Sequence, residues 1–205
     1  MTSYLFNNKY KNLFVIITAA LNIIYCLYSF ITDFPIASVV KEYSARTISS
    51  LSTAFSFMLI LVGFILATTK IYDAAKILIA VAFLFQITPI VANIFILEIP
   101  RFFLYSFANQ MEQFVSYIIP SGIITLVQFA GLILLTIGFL KKQNNTVILR
   151  LGSIFVIILY LYAFIYTCIN NTYIYDLLFN ARYLLFYISI LLLTFNKERN
   201  TETVE

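Results

Sequence analysis

The chain has no histidine and no tryptophan, and only two cysteines, four prolines and five glycines in 205 residues. Without histidine it lacks the usual axial haem ligand, any His-based zinc site, a histidine-activated nucleophile and a neutral-pH proton shuttle. Two cysteines cannot make a disulfide scaffold, and no Cys-x-x-Cys is present for thiol–disulfide exchange. So few glycines and prolines exclude collagen-like, linker-rich and low-complexity classes. The phosphate-cradling patterns G-x-x-x-x-G-K-S/T and G-x-G-x-x-G are missing, so nucleotide chemistry would have to come from another subunit. No catalytic residue, metal site or cofactor is expected.

Charge is equally scarce: 11% of residues are charged while 62% are hydrophobic, and the mean hydropathy is strongly positive. No water-facing surface could accommodate this, so the lipid bilayer is the solvent. The net charge of +4 comes from 13 basic residues scattered in ones and twos at the ends of apolar runs. That pattern is a topology signal rather than a phosphate-binding patch, and no nucleic-acid partner is expected.

A crossing helix needs roughly 20 apolar residues. Six stretches qualify, at about 13-32, 50-69, 76-97, 117-140, 149-169 and 178-195. Inside hydrocarbon only helical bonding satisfies the backbone, and runs such as Leu132 to Leu135 and Ile188 to Leu193 lack the alternation of a barrel strand. The expected fold class is therefore all-α, a polytopic integral membrane protein with one domain over 1-205 and a bundle of six transmembrane helices. With the amino terminus inside, nine Lys and Arg fall on the inner side and only Lys41, Arg46, Arg101 and Arg182 outside. Both termini are thus expected in the cytoplasm, in a plasma membrane.

Between the third and fourth spans, Phe103, Phe107, Met111 and Phe114 recur at helical spacing among Asn109, Gln110, Glu112 and Gln113. This predicts a short amphipathic helix on the outer interface. The inner halves of the second and fourth spans share a similar word, centred on Gly63-Phe64 and Gly138-Phe139, as parallel repeated hairpins would.

On the third span Gln86, Pro89 and Asn93 fall at i, i+3 and i+7, on one helical face. Pro89 removes a backbone bond and should free the carbonyl near Phe85 for another partner. The first span offers Thr18, Asn22 and Cys26, and the fourth Gly122, Thr125 and Gln128. Amides in hydrocarbon are costly unless paired, so these stripes are expected to face one another or a wet cavity. Tyrosines also pair at i+4, as Tyr162 with Tyr166 and Tyr183 with Tyr187. Of these, Tyr162 and Tyr187 lie deeper than an interfacial belt requires. Arg182 sits about a turn inside the last span. It is expected to snorkel or pair with Asp176, or else to meet Asp33 or Glu98 at an outer mouth.

These residues lead to a non-enzymatic function: binding or passing a small neutral or amphipathic molecule among spans one, three and four. Asn22, Gln86, Asn93 and Gln128 would orient it, Pro89 would supply a kink, and Tyr162 and Tyr187 an aromatic wall. The expected partners are the lipid bilayer, a small-molecule ligand and, if the chain is a transporter's membrane subunit, a membrane or ATPase partner subunit. The competing reading is a membrane-complex subunit or embedded sensor acting through protein contacts, with Gly131 and Gly138 as its partner seam. A third is a lipid-modifying enzyme working with Tyr, Arg, Glu and Cys near the outer surface.

Overall fold

Asn8 opens the first helix: its Oδ1 accepts from the backbone N–H of Tyr10 at 3.0 Å and of Lys11 at 3.1 Å. That cap satisfies donors that have no partner inside the helix. The computed structural model of the chain describes residues 4–37, 41–95, 99–107, 119–141, 146–170 and 174–195. Among these residues all regular structure is helical. A 3-10 turn, Tyr4–Phe6, precedes α1 (Lys9–Ala37), α2 (Lys41–Thr68), α3 (Tyr72–Asn93), α4 (Ile99–Phe107), α5 (Ile119–Leu140), α6 (Thr146–Ile169) and α7 (Ile174–Leu193).

Six of these helices, all but α4, are long and apolar enough to cross a membrane, and in none is more than 44% of the spanning stretch buried inside the protein. Most of the apolar surface therefore faces outward. On α1 the stripe Leu13, Ile17, Leu21, Ile24, Tyr28 and Ile31 is exposed at steps of three and four. Water would reject such a stripe, whereas lipid solvates it.

The helices overrun the apolar stretches that mark them. Residues 33-49 are expected as an outer connection, yet α1 continues to Ala37 and α2 begins at Lys41. Polarity reports where hydrocarbon ends, and backbone hydrogen bonding can continue past that point. The segment between the third and fourth spans is helical from Ile99 to Phe107, with Phe102, Phe103 and Leu104 all exposed. Met111 and Phe114 lie outside the described residues.

The long helices close a ring in the order α1, α2, α3, α5, α6, α7, with α7 returning to α1. Aromatic side chains fill its middle. Phe57 meets Phe186 edge-on at 4.8 Å, and Phe83 stacks on Phe139 at 5.8 Å. At the end where α1 starts and α7 finishes, Leu5 and Phe6 are buried, and Asn12 Nδ2 donates to the Phe6 carbonyl at 2.7 Å. Phe6 packs edge-on against Phe64 at 5.5 Å and parallel to Tyr72 at 6.0 Å, so the 3-10 turn plugs this terminal end.

Glycines set the closest helix contacts. A Cβ on Gly131 would stand 2.6 Å from Val156 Cγ2, one on Gly138 2.5 Å from Leu149, and one on Gly152 2.9 Å from the Gly131 carbonyl. Gly131 and Gly138 thus serve the chain's own α5–α6 seam instead of an external partner. Gly63 plays the same part between α2 and α3, where its Cβ would meet Ile79 at 2.7 Å. In each copy of the repeated word the glycine admits the following helix and the phenylalanine, Phe64 or Phe139, enters the core.

The α2–α3 turn is tight. Ile71 N–H reaches the Leu66 carbonyl at 3.0 Å and Lys70 N–H the Ala67 carbonyl at 3.1 Å, the bond pair of a Schellman motif. The residue that turns the chain is Lys70, at φ 67°. That left-handed conformation is one usually given to glycine.

Candidate functional site

A cavity of about 310 Å³ lies in the distal half of the ring, away from the start of α1 and the end of α7. Five helices line it. Ser49 and Thr53 come from α2, Gln86 and Pro89 from α3, Thr125 and Gln128 from α5, Tyr160 from α6, and Phe179, Asn180 and Tyr183 from α7. Apolar walls come from Ile90, Ile94, Leu159 and Ala163, and none of the lining residues carries a charge.

The aromatic wall is ordered by stacking. Tyr160 and Tyr183 lie parallel, 9° apart with centroids at 4.6 Å, and Tyr187 continues the stack at 5.9 Å from Tyr160. Gln128 Nε2 donates to the Tyr160 hydroxyl at 3.2 Å, and Asn180 Nδ2 donates to Thr167 Oγ1 at 3.2 Å. The Tyr187 hydroxyl donates to Gln86 Oε1 at 2.5 Å. Gln86 is only 6% exposed, and its Nε2 has no hydrogen-bond partner. An orphaned buried donor costs about 1–3 kcal/mol. Among the described residues it is the one orphaned polar group that borders the cavity.

The predicted stripes separate. Those of α3 and α5 reach the cavity through Gln86, Pro89, Thr125 and Gln128. Pro89 does free the carbonyl of Phe85, and Ser52 Oγ of α2 donates to it at 3.2 Å. The stripe of α1 turns instead to α7: Thr18 Oγ1 and Ser189 Oγ are 3.2 Å apart, and Asn22 Nδ2 donates to the Arg182 carbonyl at 3.3 Å. Asn22 is fully buried in that interface and does not line the cavity. Tyr187 supports the cavity from beneath through Gln86. Tyr162 is 59% exposed and stacks on Tyr166 on the outward face, apart from the cavity. The side chains of Asn93, Asp33 and Glu98 lie outside the described residues.

Arg182 lies behind the aromatic wall. One guanidinium nitrogen, Nη1, donates to Asn22 Oδ1 at 2.9 Å and Cys26 Sγ at 3.3 Å. Its carbon centre sits 3.9 Å from the Tyr25 ring centroid, 4.3 Å from Tyr183 and 4.8 Å from Phe179. Cation–π contacts of this kind strengthen when desolvated. Among the described residues no carboxylate pairs with it, and Asp176 is exposed without an ion pair. The two cysteines are free, Cys26 buried beneath Arg182 and Cys168 exposed.

Sequence reasoning passed over Tyr160, Tyr183 and Asn180 as wall residues. The usable signal was the buried face of α6, where Gly152, Ser153, Val156 and Tyr160 recur at helical steps. Small residues on that face mark it as turned toward a neighbour, and they place Tyr160 inward and Tyr162 outward. The chain matches no protein-family model, and neither curated proteins nor solved structures provide a relative.

Proposed function

We propose that this protein is a non-enzymatic multi-pass membrane protein that binds a small neutral or amphipathic molecule in the distal cavity. The observation that carries this reading is a cavity of about 310 Å³ walled by uncharged hydrogen-bonding side chains from five helices, beside a core filled with phenylalanine. Amides and hydroxyls within a membrane-spanning bundle are costly unless they find partners, so their convergence on a void favours an occupant. The size falls at the small end of ligand pockets, about 300–1,000 Å³.

The layer of Phe57, Phe83, Phe139 and Phe186, with the Tyr4–Phe6 plug beyond it, closes the path toward the terminal end. Binding therefore has better support than passage. A role as a transporter's membrane subunit would need that layer to move and an energy source from a partner. The same reading places both termini in the cytoplasm and the cavity toward the outer face, as the nine-to-four division of basic residues favours.

A thermal-stability screen of small neutral molecules on the purified chain in lipid nanodiscs tests it. Stabilisation by a hit should be lost in Gln86→Leu and Gln128→Leu and kept in Tyr162→Leu. Hits indifferent to the cavity substitutions would sink the reading.

A further inference from the structure

We infer that the cavity's occupant is a neutral molecule presenting a hydrogen-bond-accepting oxygen, a carbonyl in the simplest case, on a small apolar body. This rests on the ligand-binding reading and names the ligand's chemistry.

Gln86 supplies the first reason. The Tyr187 hydroxyl donates its hydrogen bond to Oε1, which fixes the carboxamide with its amino edge left over. That Nε2 is buried and unpartnered, on a residue that lines the cavity. A donor in such a place is satisfied by an acceptor arriving with the ligand.

Arg182 supplies the second. Phe179 and Tyr183 line the cavity and also cover the guanidinium. The partners given to that cation are neutral, Asn22 and Cys26. The wall is therefore biased positive, which repels cations and favours the partial negative charge of an oxygen. A full anion would have to shed its hydration, yet the lining offers it no charged partner.

Size supplies the third. Tyr160 and Tyr183 stack on each other, with Tyr187 continuing the stack and Arg182 over the Tyr183 ring, so the wall is a fixed apolar stack rather than an open ring face. The volume suits one or two fused rings.

The test uses two probes of matched outline, 1-indanone and indane, titrated onto the full chain in lipid nanodiscs. Binding is read by saturation-transfer NMR against empty nanodiscs. Saturable binding of 1-indanone about tenfold tighter than indane is expected, the increment of one satisfied buried donor. In Gln86→Leu the two probes should bind alike. Tyr187→Phe, which keeps the ring and unlocks the carboxamide, should narrow the preference in a chain that still unfolds cooperatively. Equal affinities in the unaltered chain, or a preference that survives both substitutions, overturn the acceptor assignment and leave the cavity as a binding site. Failure of both probes to saturate overturns the ligand-binding reading along with it.

Discussion

Arg182 and Asn22 hold each other in both directions. The guanidinium donates to Asn22 Oδ1 at 2.9 Å, and Asn22 Nδ2 donates back to the Arg182 carbonyl at 3.3 Å. The exchange fastens α1 to α7, the contact that closes the ring. Asn22→Leu strips a charge-assisted bond from a cation whose Nε is already unpartnered. It should cost about 2–3 kcal/mol of unfolding free energy. Adding Arg182→Leu should recover more than half of that loss, because an uncompensated charge disappears with it. Denaturant unfolding in detergent, run as a double-mutant cycle, measures both. An additive double mutant would show that the two residues do not act as a pair.

Gly152 and Gly122 should respond oppositely to one added methyl. At Gly152 it would press on the Gly131 carbonyl and on Leu135 N, both backbone atoms that cannot step aside. Gly152→Ala is expected to destabilise by about 1–3 kcal/mol. At Gly122 nothing lies within 4 Å, and Gly122→Ala should be neutral or slightly stabilising. Thermal unfolding of the two variants side by side reads the contrast.

Two tyrosines one turn-half apart on α6 should behave as inside and outside residues. Tyr160 is buried between Tyr183 and Tyr187. Tyr160→Leu should lower stability by about 2–4 kcal/mol through lost packing and an orphaned Gln128 amide. Tyr162→Leu exchanges one lipid-facing surface for another and should change stability by less than about 0.5 kcal/mol. A large loss at Tyr162 would mean that its face is covered by something beyond this chain.

Sidedness is accessible through a single thiol. Asn170 stands exposed at the end of α6. In a Cys168→Ser background, Asn170→Cys should react with a membrane-impermeant maleimide added to intact cells, whereas buried Cys26 stays unmodified. Labelling only after lysis would invert the orientation read from the basic residues.

The helical class and the number of spans were legible because both follow from one quantity, the length of apolar runs relative to hydrocarbon thickness. The freed carbonyl of Phe85 was legible too, since proline's missing bond is a local matter. Neighbour choice was not. Thr18, Asn22 and Cys26 announce a polar face on α1, but periodicity fixes only the face, and the partner proved to be α7. Likewise an i+4 pair such as Tyr183 and Tyr187 shares one face without showing where along it a void ends. Tyr183 borders the cavity, and Tyr187 acts through Gln86.

Lys70 brings two demands on one residue into conflict. Its backbone adopts a left-handed turn that glycine would accept more readily by about 1 kcal/mol. Its side chain, however, is one of the cations flanking the second and third spans, where charge steers the direction of insertion. Lys70→Gly should therefore yield a chain that resists unfolding better once assembled, with eight rather than nine inner basic residues against four outer ones to set its orientation. A residue chosen for its backbone alone would be glycine, so the lysine here is kept at the expense of the turn's own ease.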